Sequence, residues 1–400
     1  MRSTYSNNTW TRFLPKLFIL AGVAILAFAF VDNLYGIGDG VGANDISLIL
    51  CGFAILVTGA GLALSIEFRR VGQWLLLGAA VVAVTLLVVG GFNTELWEIY
   101  SKRPADWPLL QETEAARLTG DFRLIELMPS TSIIFHGASF STNRWGMRDK
   151  EYEKVPAPAS YRIALLGPSY VMGSGVANDE TFEWLLEERL NQQHVGQVYD
   201  RYEILNFGVA GYSALQELWQ FENEVFFFQP DAIFFVSHHI EEAKVVRTLA
   251  HVARNGRDIP YDYLKAAVRQ AGISQGMTQM EAERRLNPFG RDIVAWSYHQ
   301  IATLALERGI EAVWIFLLPP EIDVEPQIAR ELIQLATEAG FTVIDLSDAY
   351  EGSDLETLIV AKWDRHPNAT GHQLLADRLY AALQAEGLIP AGCSSHTETQ

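Results

Sequence analysis

Ser169 follows an apolar run, in the order Leu166-Gly167-Pro168-Ser169, and is succeeded by Tyr170-Val171-Met172-Gly173-Ser174-Gly175. A hydroxyl on so sharp a passage from strand to helix stands near backbone N–H groups. Serine becomes a nucleophile when an imidazole takes its proton and an acid orients that imidazole, whatever their order in the chain. Asp364-Arg365-His366-Pro367-Asn368 supplies both partner types near the other end of the sequence. Ser169, His366 and Asp364 are therefore the candidate nucleophile, base and acid. Ser174 has the same hydroxyl chemistry, but sits within the glycine-bordered turn. Two other clusters carry polar groups: Asn206-Phe207-Gly208-Val209-Ala210-Gly211 and Ser237-His238-His239-Ile240-Glu241-Glu242. Imidazole and carboxylate are ordinary zinc ligands, but adjacent residues rarely converge on one ion and the cluster has no ligand spacing. It reads as polar residues leaving a strand, with no metal and no organic cofactor required.

These positions follow short apolar runs that alternate with helical patterns. Arg162–Leu166, Tyr202–Phe207, Ala232–Val236, Ala312–Leu318 and Thr342–Leu346 have the length and composition of buried strands. Strands separated by helices predict an α/β domain with a doubly wound parallel sheet, which binds ligands at the carboxyl ends of its strands. Helical spacing is clearest at Phe182, Leu185, Leu186 and Leu190, and at Leu374, Leu375, Leu379 and Leu383. The polar, helix-prone stretch 244–291 exceeds what a crossover needs and reads as a helical insertion capping the strand ends. Trp184, Trp219, Trp296 and Trp314 fall in helical or strand patterns and read as core, and His372 reads as a helix-surface or packing residue.

The chain has 400 residues, 49% of them hydrophobic, yet carries 48 acidic side chains and a net charge of −18. That combination points to a membrane part joined to a soluble one. Scarce Lys and Arg argue against a nucleic acid partner. Two cysteines, Cys51 and Cys393, build neither a disulfide framework nor a cysteine metal site. Leu14–Val31, Ile46–Ile66 and Val71–Phe92 are long and apolar enough to span a bilayer as helices. Arg2, Arg12 and Lys16 precede the first span and Arg69 and Arg70 separate the other two, so the positive-inside rule places these flanks in the cytoplasm. Three crossings put everything after Phe92 outside it. The alternative of a cleaved signal peptide leaves that orientation unchanged, and the end at Val31 lacks a small-residue cleavage pattern. The layout is a membrane domain over 1–92, a lead-in over 93–159, the α/β domain over 160–390 and a tail over 391–400.

The order Leu166-Gly167-x-Ser169, Asn206-x4-Gly211 and His366-Pro367-Asn368-Ala369-x-Gly371-His372 resembles the SGNH (GDSL-like) hydrolase superfamily. The likeness covers roughly 143–388, and Asn143-Arg144-Trp145-Gly146-Met147-Arg148-Asp149 resembles the lead-in of its bacterial envelope members. The resemblance implies a flavodoxin-like fold and, in active members, ester hydrolysis or acyl transfer on lipids, carbohydrates or small acyl esters. It implies Ser169 as nucleophile, His366 as general base, and the N–H groups of Ser169 and Gly211 as oxyanion donors. Asp364, two residues before the histidine, matches the envelope group.

The sequence departs from the family in two places. Pro168 replaces the aspartate of Gly-Asp-Ser, which removes an N–H and the carboxylate that braces the turn. The Gly-x-Asn-Asp block has no counterpart, so the asparagine donor is missing and His238 or His239 is the candidate substitute. Losing one oxyanion donor costs about 10²- to 10³-fold in turnover. The expectation is a membrane-anchored, extracytoplasmic esterase or O-acyltransferase working on acylated glycans or lipids, beside a bilayer and possible envelope assembly proteins. The alternative is a catalytically degraded domain that binds a glycan or a partner protein.

Overall fold

A computed structural model describes residues 107–389, apart from Val195, Gln197 and 321–324, together with 15–21, 23, 55, 56 and 58. The chain divides into two units, Met1–Lys102 and Arg103–Gln400. The three expected spans fall almost wholly outside the described residues, as do 93–106 and the tail after Ile389. Among the described residues no helix is long and apolar enough to cross a membrane.

The second unit opens with two hairpins, β1 (Ala116–Leu118) with β2 (Ile125–Leu127) and β3 (Ser132–Phe135) with β4 (Ala138–Ser141). Then come β5 (Ser160–Leu166), α1 (Ser169–Met172), α2 (Phe182–Gln193), β6 (Arg201–Asn206), α3 (Ala214–Asn223), β7 (Ala232–Ser237) and α4 (Glu241–Arg254). They are followed by α5 (Asp262–Gln270), α6 (Gln279–Leu286), α7 (Gly290–Glu307), β8 (Glu311–Phe316), α8 (Pro326–Ala339) and β9 (Thr342–Asp345). The hairpin β10 (Ile359–Ala361) and β11 (Asp364–Pro367) leads into α9 (Ala369–Ala385). The five apolar runs picked out in the sequence are the five strands of one parallel sheet in the order β6-β5-β7-β8-β9, with ends shifted by one or two residues.

β5 is buried along its whole length, as a strand covered on both faces must be. Its alternating side chains enter different cores. Ile163 and Leu165 meet Phe182, Leu186 and Leu190 of α2 and Leu375, Leu379 and Leu383 of α9. Ala164 and Leu166 join the layer of α3, α4, α7 and α8, where Phe221, Leu249 and Ile301 are fully buried. Each such side chain contributes about 1.5–3 kcal/mol on leaving water. Connections leave β5 toward β6 on one side and reach β7 on the other, so the loop after β5, which carries Ser169, occupies the point where the winding reverses.

The 244–291 segment departs from the expectation of a cap. Leu264 of α5 and Ala282 and Leu286 of α6 share a core with Val245 and Leu249 of α4 and Ile293 of α7. The apolar faces of α5 and α6 find their partner on the flank of α4, so the insertion widens the helical layer. The lead-in is more structured than its composition suggests. Leu110, Phe135 and Phe140 pack with Met172 of α1 and with Val209 and Tyr212, bringing both hairpins against the Ser169 turn. Of the four tryptophans read as core, Trp314 is fully buried, whereas Trp184, Trp219 and Trp296 are half-buried. His372 is a packing residue: it is buried, stacked on Phe182, and accepts a hydrogen bond from Phe182 N–H.

Candidate active site

Ser169 is the first residue of α1, with Pro168 in extended conformation at its N-cap. The Pro168 carbonyl accepts from Val171 and Met172 N–H at 3.0 Å each, so the turn forms without the missing aspartate. Its brace comes from the lead-in. Arg148, almost wholly buried, donates to the carbonyls of Met172 (2.7 Å), Gly173, Val176 and Ser139 (3.3 Å). Burial pushes its guanidinium down to about 9, against the opposing charges of Glu183 and Glu180. Gly173 is left-handed at φ +78, and a Cβ there would lie 2.5 Å from the Arg148 Nη1. Asp149 accepts Asn206 N–H at 2.8 Å, and Asn206 in turn donates to Val171 O (2.8 Å) and accepts from Gly208 N–H (2.9 Å). The loop that carries Gly211 is thereby tied to α1.

Asp364 and His366 lie two apart on β11, and alternate residues of a strand share a face. Ser169 Oγ is 2.8 Å from His366 Nε2, and His366 Nδ1 meets Asp364 Oδ1, which also accepts the His366 backbone N–H at 3.1 Å. A carboxylate only accepts, so Nδ1 carries the ring proton and Nε2 is left to accept from the serine hydroxyl. The second oxygen of Asp364 accepts from Trp107 Nε1 at 3.1 Å and lies 3.0 Å from His136 Nδ1. Burial alone would raise the Asp364 carboxyl. Hydrogen bonds from His136 and His366, with the charge of the His366 ring, outweigh it and hold the group well below the usual carboxylate range. The imidazole and the carboxylate thus stand in line behind a half-buried serine hydroxyl.

The candidate oxyanion groups divide. Ser169 N–H, in the first turn of α1, and Gly211 N–H, in a left-handed turn at φ +84, have no hydrogen-bond acceptor among the described residues. A Cβ on Gly211 would meet open space. His238 and His239 take different surroundings. His238 Nδ1 accepts from Ile240 N–H at 3.4 Å, which puts the ring proton of the neutral imidazole on Nε2, 3.4 Å from Lys244 Nζ. Burial, then the nearby Lys244 charge, holds this imidazole well below its usual range. Between these elements Tyr170 packs on both rings, tilted on His366 at 5.0 Å and edge-on to His238 at 6.1 Å. His239 turns the other way and lines a cavity of about 340 Å³ with Glu242, Val246, Val294 and Leu332. Successive residues leaving a strand point to opposite sides, which is why only one of the pair faces Tyr170. Glu241 is committed to Ala214 N–H (2.9 Å) and the Ser237 hydroxyl (2.8 Å). Among the described residues no group of three or more His, Cys, Asp and Glu is arranged to hold a metal ion.

Ser174 is buried, and its hydroxyl lies 3.4 Å from His136 Nδ1, within a different contact from the Ser169–His366 pair. Sequence reasoning passed over His136, Trp107 and the clamp role of Arg148. The available signal for His136 was the two-residue turn His136-Gly137 between short apolar runs, a hairpin pattern.

No family model matches the chain, and no curated protein matches it. Its structure is similar to that of TesA, at 13% identity over 56% of this chain and 98% of that one, with a TM-score of 0.38. A psychrotrophic esterase, EstA from Pseudoalteromonas sp., aligns at 12% identity over 57% of this chain and 98% of its own, with a TM-score of 0.36. A catalytic mutant of an acetylxylan esterase from Geobacillus stearothermophilus aligns at 13% identity over 56% of this chain and 94% of its own, with a TM-score of 0.37.

Proposed function

We propose that this chain is a membrane-anchored SGNH-type serine esterase or O-acyltransferase whose C-terminal domain works outside the cytoplasm on acyl esters of envelope glycans or lipids. One observation carries the chemistry: Ser169 Oγ lies 2.8 Å from His366 Nε2 while Asp364 holds the far side of that ring. His366 takes the hydroxyl proton as Ser169 attacks the acyl carbonyl, and Asp364 stabilises the imidazolium that forms. The tetrahedral oxygen is received by the N–H groups of Ser169 and Gly211. His366 then protonates the departing alcohol. Water or a sugar hydroxyl, deprotonated by the same imidazole, resolves the acyl-enzyme to acid or transferred ester. The anchoring and the glycan or lipid substrate rest on the three apolar spans and on the sequence resemblance to envelope members.

A second reading, a binding module for a glycan or envelope partner, is favoured by Pro168 in place of the family's aspartate and by the missing asparagine donor, both read from the sequence. Turnover of a small acyl ester by the detergent-solubilised chain separates the two. p-Nitrophenyl acetate hydrolysis lost in Ser169→Ala is expected; a wild-type rate equal to that of Ser169→Ala would leave the binding role.

A further inference from the structure

We propose that His136 is a positioning residue of the Ser169 site, a second imidazole that holds Asp364 from the side away from His366 and shifts the pH at which His366 becomes free to act as base. Three independent features of the lead-in hairpin point there. The β3–β4 turn consists of His136 and Gly137 alone, both left-handed, at φ +49 and +81. Asn or Gly ordinarily fills such a position, and a histidine there is held at a conformational cost. Its ring is also fixed on both faces, stacked on Trp107 at 4.6 Å and on Phe135 at 3.8 Å. Trp107 in turn donates to the same Asp364 oxygen that faces His136.

The hydrogen-bond chemistry gives the third feature. Nε2 lies 3.0 Å from the Pro108 carbonyl, which can only accept, and Nδ1 lies 3.0 Å from the ionised Asp364. A neutral imidazole has one N–H and satisfies one of these oxygens, whereas a doubly protonated ring satisfies both. With a single proton on Nε2, Nδ1 instead accepts from the Ser174 hydroxyl at 3.4 Å and lets go of Asp364. The ionisable group in contact with His136 is thus Asp364; beyond it His366 on β11 faces Tyr170 of α1 at 5.0 Å, with His238 on the far side of that ring at 6.1 Å. Arg148 lies under the same hairpin, bonded to Ser139 O, and the two ring faces meet only aromatic carbon.

The consequence for His366 has a definite sign. A cationic His136 offsets the Asp364 carboxylate, so a proton on His366 is less stabilised and the base becomes free at lower pH. Replacing His136 with a neutral residue leaves the carboxylate uncompensated. The acid limb of kcat/KM should then move up by about one pH unit. Looser placement of Asp364 should also cost about 10-fold in rate.

The kinetic arm rests on the proposed esterase activity; a spectroscopic arm does not. His136→Asn suits the left-handed turn, and Ile134→Thr perturbs the exposed side of the same hairpin away from Asp364. Full-length wild type and both variants would be compared with p-nitrophenyl acetate from pH 5 to 9, with thermal midpoints alongside. An upward shift of the acid limb in His136→Asn alone supports the proposal. A folded His136→Asn whose profile keeps the wild-type shape overturns it, since a merely structural role lowers stability without moving the limb. If wild type does not turn over, or His136→Asn does not fold, nitrogen NMR of histidine-labelled wild type and Asp364→Asn decides. Protons on both His136 nitrogens in wild type, with Nδ1 deprotonated in Asp364→Asn, support the pairing. A singly protonated His136 identical in both proteins contradicts it.

Discussion

In the proposed mechanism each side chain of the Ser169–His366–Asp364 line has a distinct duty, and substitutions should separate them. Asp364→Asn keeps the shape of the carboxyl but offers the wrong group to His366 Nδ1–H, and turnover should fall about 10³- to 10⁴-fold. The same substitution has a pH signature in stability. Asp364 is held below the usual carboxylate range, so its ionised form contributes stability above the pH where a free aspartate titrates. That contribution is lost as pH falls through its folded value. The thermal midpoint of wild type should exceed that of Asp364→Asn by a constant margin from pH 6 down to about pH 5 and by a shrinking one below about pH 4; a margin that does not shrink below that pH would contradict the assignment. Ser169, His366 and Asp364 were legible because the order of their motifs resembles the SGNH superfamily, which implies their roles; the residue types alone offered only the three chemistries. The role of His136 was not legible, because it lies far from Asp364 in sequence and only the fold sets that meeting. The divergence of His238 and His239 was equally hidden, since the phase of a strand exit decides which of two neighbours faces inward.

At the scale of elements, the turn after β5 is held by groups outside the domain core proper. Arg148→Ala would strand the buried carbonyls of Met172 and Val176 without a donor and leave Gly173 O with the Val176 N–H alone. A loss of about 3 kcal/mol in urea unfolding is expected, together with impaired use of Ser169. Glu183, in the first turn of α2, is buried with one carboxyl oxygen lacking a hydrogen bond. Burial, then the charges of Asp149 and Glu187, raises this carboxyl well above its ordinary range. A carboxyl raised on folding stabilises at pH below its unfolded value, and that stability is lost as pH rises through the folded one. Glu183→Gln should therefore raise the thermal midpoint at pH 8 relative to wild type and leave it nearly unchanged at pH 4; an equal effect at both would show the side chain is not a proton acceptor there. The five sheet strands could be read from sequence because each is a continuous apolar run between helical patterns. The lead-in hairpins could not, since strands of three or four residues carry too little alternation to stand out from loops. The insertion over 244–291 had a readable helical pattern, but its packing partner on α4 was set by tertiary contact.

For the whole molecule, the proposed topology rests on three apolar segments and on Lys and Arg placed on one side of them. Alkaline phosphatase fused after Phe92 should be active in an intact bacterial cell and inactive when fused after Arg70; the reverse pattern would place the α/β unit in the cytoplasm. The central claim is that Ser169 is an activated nucleophile, and it is tested most directly by labelling the detergent-solubilised chain with a fluorophosphonate probe. Wild type should be labelled, and Ser169→Ala and His366→Ala should not. Absence of wild-type labelling, or labelling that survives Ser169→Ala, would contradict that claim.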